Sequence, residues 1–155
     1  MAQGEVLSAP LTLEYPFRRT VGRVQSAFLT GLREGLVLGI RTTDGRVLCP
    51  PTEYDPVTGD ELAELVELAP EGTVTTWSWE PEGRPNQPVG GPFAWALVRL
   101  DGADTGLLHA VDTGGSPEAM RTGMRVRIRW VDAGDRQGDI TDIACFEPAD
   151  PEGDA

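Results

Sequence analysis

Lysine is missing from this chain: all 13 basic residues are arginine. That excludes a Schiff-base lysine and a lysine phosphate clamp, and the arginine bias itself is what a GC-rich genome produces. Histidine occurs once, at His109, so a single side chain has an ordinary pKa near neutrality. The two cysteines, Cys49 and Cys145, are too few for a disulfide framework, and two half-buried reduced thiols are the expectation. There is no run of about 18 apolar residues, which argues against a transmembrane span. The stretch MAQGEVLSAP lacks the basic-then-apolar pattern of a signal peptide, so the cytoplasm is the expected compartment.

What the chain has in quantity is acid and turn formers. A net charge of −12 over 155 residues argues against binding a phosphate backbone, so no nucleic-acid partner is expected. Part of the excess lies in EPADPEGDA, and residues 149–155 are expected to be a disordered acidic tail; residues 1–14 are expected to be flexible too. With 19 glycines and 13 prolines, short strands and turns are favoured over long helices.

Along the chain, Phe17, Val21, Val24, Phe28 and Leu32 recur at three- and four-residue spacing. With Pro16 at a first helical position and Gly35 as a stop, they predict an amphipathic helix over 15–35. Arg18, Arg19, Arg23 and Arg33 fall mostly off the apolar stripe. Gly22 and Gly31 weaken such a helix by roughly 1 kcal/mol each, so the stripe needs something to pack on. That is either this chain's own barrel or another subunit, and the five stripe residues are taken as the candidate partner interface. Residues 36–70 carry LVLGIRT and RVLCPP as short strands about a Thr43-Asp44-Gly45 turn, with a second turn closed by Gly59. From Gly72 the pattern is strand-like. GTVTTWSWE, FAWALVRL, TGLLHAVD, MRVRIRW and ITDIACF form five strands, the first connection being the long Pro- and Gly-rich PEGRPNQPVGG. In MRVRIRW, Met124, Val126, Ile128 and Trp130 alternate with Arg125, Arg127 and Arg129. Five strands with a long first connection predict an OB-type barrel over 71–148, and the fold class is mainly β.

No set of residues asks to be read as catalytic. His109 lies mid-strand in LLHAVD; a base there needs a nucleophile or carboxylate close by, which Asp104 or Asp112 could supply, but a hydrogen-bonded structural histidine is the expectation. The Arg125, Arg127, Arg129 stripe can pair with this chain's own carboxylates, an acidic partner surface, CoA phosphates or nucleic acid, in falling order. Trp77 with Trp79, and Phe93 with Trp95, share strand faces and are read as core or interface anchors before a base-stacking platform. Gly90-Gly91 has no phosphate-loop pattern.

The phrases PFAWALVRLDGADT, LLHAVD, GMRVRIRW and DIACFEP, with the ribbon outline GRVLCPPTEYDP, resemble the domain of unknown function thirty-five family. The likeness covers most of Tyr15 to Pro148. It implies an N-terminal helix, a rubredoxin-like zinc ribbon over 36–70 and an OB-fold. This chain departs from the family pattern at every zinc-ligand position. The first Cys pair is replaced by Thr42-Thr43-Asp44-Gly45 and the second by Asp55-Pro56-Val57-Thr58-Gly59, and Cys49 stands alone between them. A structural zinc site wants four Cys or His ligands, so a degenerate ribbon without zinc, packed on Leu48 and Tyr54, is expected, with no other cofactor.

The resemblance further implies a non-catalytic subunit that stabilises a thiolase-like, lipid-transfer-protein-type aldolase or thiolase. That partner would act on steroid-derived acyl-CoA thioesters by retro-aldol or thiolytic cleavage, bind most of the CoA thioester while this chain helps shape the acyl-CoA site, and assemble with two copies of each chain. The alternative is a stand-alone OB-fold module for acyl-CoA or single-stranded nucleic acid.

Overall fold

The computed structural model describes residues 8–18 and 20–149. Arg19 lies outside the described residues, as do 1–7 of the expected flexible terminus and 150–155 of the expected acidic tail. The elements are α1 (Arg23–Glu34), β1 (Val37–Arg41), β2 (Val47–Leu48), β3 (Leu65–Leu68), β4 (Glu71–Glu80), β5 (Phe93–Leu100), β6 (Leu107–Val111), β7 (Arg125–Trp130) and β8 (Ile143–Pro148). Strands β1 to β3 make a small antiparallel sheet in the order β2-β1-β3. Strands β4 to β8 close into a barrel in the order β4-β5-β6-β8-β7. All its pairings are antiparallel except β6 with β8, which run parallel and meet at Val111 and Phe146.

The barrel follows the sequence pattern closely. Val126 and Ile128 of β7 are buried while Arg125, Arg127 and Arg129 face water. Along β5, Ala94, Ala96, Val98 and Leu100 join the main core, and Phe93 and Trp95 pack on the opposite face. Strand β4 is long enough to pair with both β5 and β7, and an irregularity between Val74 and Thr76 bends it to do so. At Gly72 the crossing is so close that a Cβ would stand 2.4 Å from the Arg99 carbonyl oxygen. The expected last strand, 140–146, is corrected to Ile143–Pro148. Asp139 accepts from the Thr141 N–H at 2.7 Å and holds Ile140–Asp142 in a 3-10 turn before the strand begins. β3 was not read from the sequence.

The helix is shorter than expected, starting at Arg23 instead of Tyr15. The reason lies outside the segment. The Glu53 carboxylate accepts the Val24 N–H at 2.9 Å and so caps the helix from the ribbon region. A Cβ on Gly22 would run into that same carboxylate, so a side chain there would push the cap aside. At the other end Gly35, at φ 80°, closes the helix as expected.

The partner-interface role given to the stripe is corrected for three of its residues. Val24, Phe28 and Leu32 are 2%, 4% and 0% exposed within this chain alone. Phe28 and Leu32 belong to one continuous core with Val37, Val47 and Leu68 of the small sheet and with Val74, Val98 and Phe146 of the barrel. Val24 packs with Ile40, Leu48 and Leu62. Sheet and barrel are also stitched by hydrogen bonds. Asp104 accepts the Val47 N–H at 2.7 Å, and the Thr105 hydroxyl both accepts from the Cys49 N–H and donates to its carbonyl. Helix, sheet and barrel therefore form a single packed unit.

Candidate functional site

At the two turns where the family resemblance implies cysteine pairs, a carboxylate ties the loops together. Asp55 is 3% exposed. One oxygen accepts from the Thr43 N–H at 3.0 Å and the Thr43 hydroxyl at 2.8 Å. The other accepts from the Val57 and Thr58 N–H groups at 2.8 and 3.2 Å. These bonds, led by the Val57 N–H and the Thr43 hydroxyl, hold the Asp55 carboxyl far below the ordinary carboxylate range. The side chains here do not fit a zinc ion. They are hydroxyls and carboxylates already bonded to one another, and no group of three or more His, Cys, Asp or Glu among the described residues is placed to hold a metal.

The arginine stripe meets this chain's own acids. Arg125 is bidentate to Asp101, with the nearer contacts at 2.7 and 2.5 Å. Arg127 pairs with Glu147 at 3.0 Å, and Arg129 with Asp112 at 2.9 Å and Glu147 at 3.4 Å. Hydrogen bonding to Asp101 and Asp112 raises the Arg125 and Arg129 pKa values. The guanidinium groups proposed for phosphate or an acidic partner thus already have carboxylate neighbours, which lowers what a second anion could gain from them.

Asp104 and Asp112, the carboxylates considered as partners for His109, are engaged elsewhere, with Val47 and Arg129. His109 itself is 4% exposed, its Nδ1 accepts the Ala110 N–H at 2.9 Å, and its ring meets Phe146 edge-on. Burial lowers its pKa, with backbone groups of Ile140 and Ala110 acting the other way, so it stays neutral at physiological pH. Both thiols are buried, and burial pushes Cys49 up to about 12 and Cys145 to about 11, where neither is an activated nucleophile.

A cavity of about 470 Å³ opens on the face of β5, β6 and β8. Trp95, Leu108 and His109 line it from the sheet, with Ile143 and Ala144 from the start of β8. The long first connection supplies Asn86, Gln87 and Pro88, and the segment after β7 supplies Val131, Ile140 and Thr141. The second wall is held firmly. Buried Asp142 accepts the Gln137 and Gly138 N–H groups at 2.8 and 2.7 Å, and Arg136 donates to the Val131 carbonyl while lying over the Trp130 ring. In the first connection Gln87 accepts the Arg84 N–H at 2.7 Å. No periodic pattern in the sequence points to this cavity. The only hint was the length of those two connections, which in OB barrels flank the ligand face. Trp77 and Trp79, by contrast, pack on the main core, as read.

One more surface escaped the sequence reading. Residues 8–18 and 20–22 form no regular element, and Leu11, Leu13, Tyr15 and Phe17 are 81%, 67%, 78% and 80% exposed. Val21 is 47% exposed. Of the expected interface set, Phe17 and Val21 thus remain on the surface. The signal that could have revealed this arm is its two-residue apolar spacing, which Pro16 and the downstream helical stripe masked.

The barrel order, with one parallel pairing between its third and fifth strands, defines an OB-fold protein carrying a helix and a small sheet ahead of the barrel. Residues 65–131 match the family model of the ChsH2 C-terminal OB-fold domain. Among solved structures, one similar chain is the Ltp2–ChsH2(DUF35) aldolase, with a TM-score of 0.59 and 22% identity over 84% of this chain and 98% of that one. A second is a protein of unknown function of the DUF35 family from Sulfolobus solfataricus, with a TM-score of 0.56 and 20% identity over 69% of this chain and 78% of its own. At these identities the solved structures establish the fold, and with the family match they bear out the resemblance drawn from the barrel phrases. No curated protein matches the sequence.

Proposed function

We propose that this chain is a non-catalytic accessory subunit of an aldolase complex. Its partner is a thiolase-fold, lipid-transfer-protein-type enzyme that carries the chemistry and holds the CoA part of a thioester substrate, most readily a steroid-derived one cut by retro-aldol or thiolytic cleavage. The assembly has two copies of each chain and works in the cytoplasm. The observation that carries the reading is the apolar arm. Four large side chains from Leu11 to Phe17 are at least two-thirds exposed, an arrangement that favours a partner surface over water. The ChsH2-type barrel supports the aldolase as that partner. The buried thiols and neutral, buried His109 support placing catalysis on the other chain.

The test is co-expression with the thiolase-type aldolase, size exclusion, and an aldolase assay with and without this chain. Replacing Leu11, Leu13, Tyr15 and Phe17 together by Ser is expected to abolish co-elution while leaving the barrel's unfolding midpoint unchanged, since none of the four is in the core. Undiminished co-elution of that variant would move the interface elsewhere. A wild-type chain that elutes apart from the enzyme and leaves its activity unaltered would overturn the subunit reading.

A further inference from the structure

The cavity on the β5-β6-β8 face has a composition unlike the rest of the molecule. Eleven residues line it and none is charged, in a chain of which 25% is Asp, Glu, Lys or Arg. A random surface patch of that size would carry about three charges at this composition. Its walls are dominated by apolar side chains, among them Trp95, Leu108, Ile140 and Ile143, while amide and hydroxyl groups come from Asn86, Gln87 and Thr141. Its size lies within the range that holds small organic ligands. The lack of any cation removes the anchor that a phosphate, a carboxylate or a nucleic-acid backbone would need.

We infer that this cavity is a binding site for a compact, uncharged, mostly apolar molecule with one hydrogen-bonding group, held between the 81–92 connection and the 131–142 segment. The apolar body of the ligand lies on Trp95 and Leu108, and its polar group reaches the mouth, where Asn86 stands at a positive φ of 72°. No residue of the partner is needed, so the site is independent of the subunit assignment and can be tested on this chain alone. A partner's apolar side chain entering the same opening is the competing occupant. The small molecule is favoured because the cavity is mostly apolar with a few amide and hydroxyl side chains among its lining, whereas the exposed apolar arm already offers a separate surface for protein contact.

The probe is N-phenyl-1-naphthylamine, which is uncharged, apolar and carries one N–H. With the full chain it is expected to bind saturably at one site, with energy transfer from tryptophan. Leu108→Asp places a carboxylate in the wall at a position that is 59% exposed, so folding is retained, and affinity is expected to fall by at least about tenfold. Ala144→Phe fills the cavity without adding charge and is expected to have the same effect. The Leu11, Leu13, Tyr15, Phe17 to Ser variant is expected to bind the probe as the wild type does. Absence of saturable binding, binding by both cavity variants as tight as that of the wild type, or loss of binding in the arm variant would each overturn the inference. So would a Leu108→Asp chain that loses co-elution with the aldolase while the wild type fails to bind probe, an outcome that assigns the cavity to the partner instead.

Discussion

Asp55 shows how one buried carboxylate can tie two turns together. Its four accepted hydrogen bonds link the Thr43 turn to the Val57-Thr58 turn, and ionised carboxylate is what makes all four favourable at once. Because the folded pKa lies below the unfolded value of about 3.9, the stabilisation is fully present above that value. It is lost as the pH falls from there through the folded pKa. Asp55→Asn must turn an amide NH₂ toward at least one of these donors. The variant is therefore expected to be less stable than the wild type at about pH 7, with the difference shrinking by about pH 3. Urea unfolding at both values checks this, and a gap that does not change with pH would show that the charge of Asp55 is not what joins the turns. The sequence made the loss of sulfur ligands plain. It did not show what replaced them, because the Asp55–Thr43 contact spans twelve residues and depends on how two turns pack.

At the scale of elements, the helix start illustrates why a boundary can be invisible locally. Nothing between Tyr15 and Gly22 forbids a helix as strongly as a carboxylate from the ribbon region favours its beginning at Arg23. Glu53 accepts the Val24 N–H, so Glu53→Ala removes a cap and is expected to cost about 1 kcal/mol, while Glu53→Gln keeps an acceptor and loses less. Chemical denaturation followed by far-UV circular dichroism measures both, and equal losses would mean that the cap's hydrogen bond does not matter. The barrel strands were legible for the opposite reason. In β7 the alternation of Val126 and Ile128 with three arginines is local, and each strand face is decided by its own residues. The stripe of α1 was legible as apolar but not as to what it faces, since periodicity reports that a face is buried and not against whom. The cavity was hidden more deeply, because its walls come from two connections and three strands that only the closed barrel brings together.

For the whole molecule, the continuous core joining α1, the small sheet and the barrel makes a specific demand on unfolding. All four tryptophans, Trp77, Trp79, Trp95 and Trp130, are in the barrel, whereas α1 is the only α-helix among the described residues. Tryptophan fluorescence therefore reports the barrel, and the helical band of circular dichroism reports α1. If the helix were an appendage waiting for a partner, truncating its apolar face would leave the fluorescence transition in place. Phe28 instead packs into the same cluster as Val74 and Phe146, and burying it removed nearly all its surface from water. Phe28→Ala is expected to cost about 3–5 kcal/mol and to shift both transitions together to lower urea, as a single cooperative unit requires. A fluorescence midpoint that stays put while the helical signal melts early would separate helix from barrel and return the stripe to the role of a docking face. Coincident transitions would leave the arm at Leu11 to Phe17 as the apolar surface available to a partner, which is where the function proposed for this chain then has to reside.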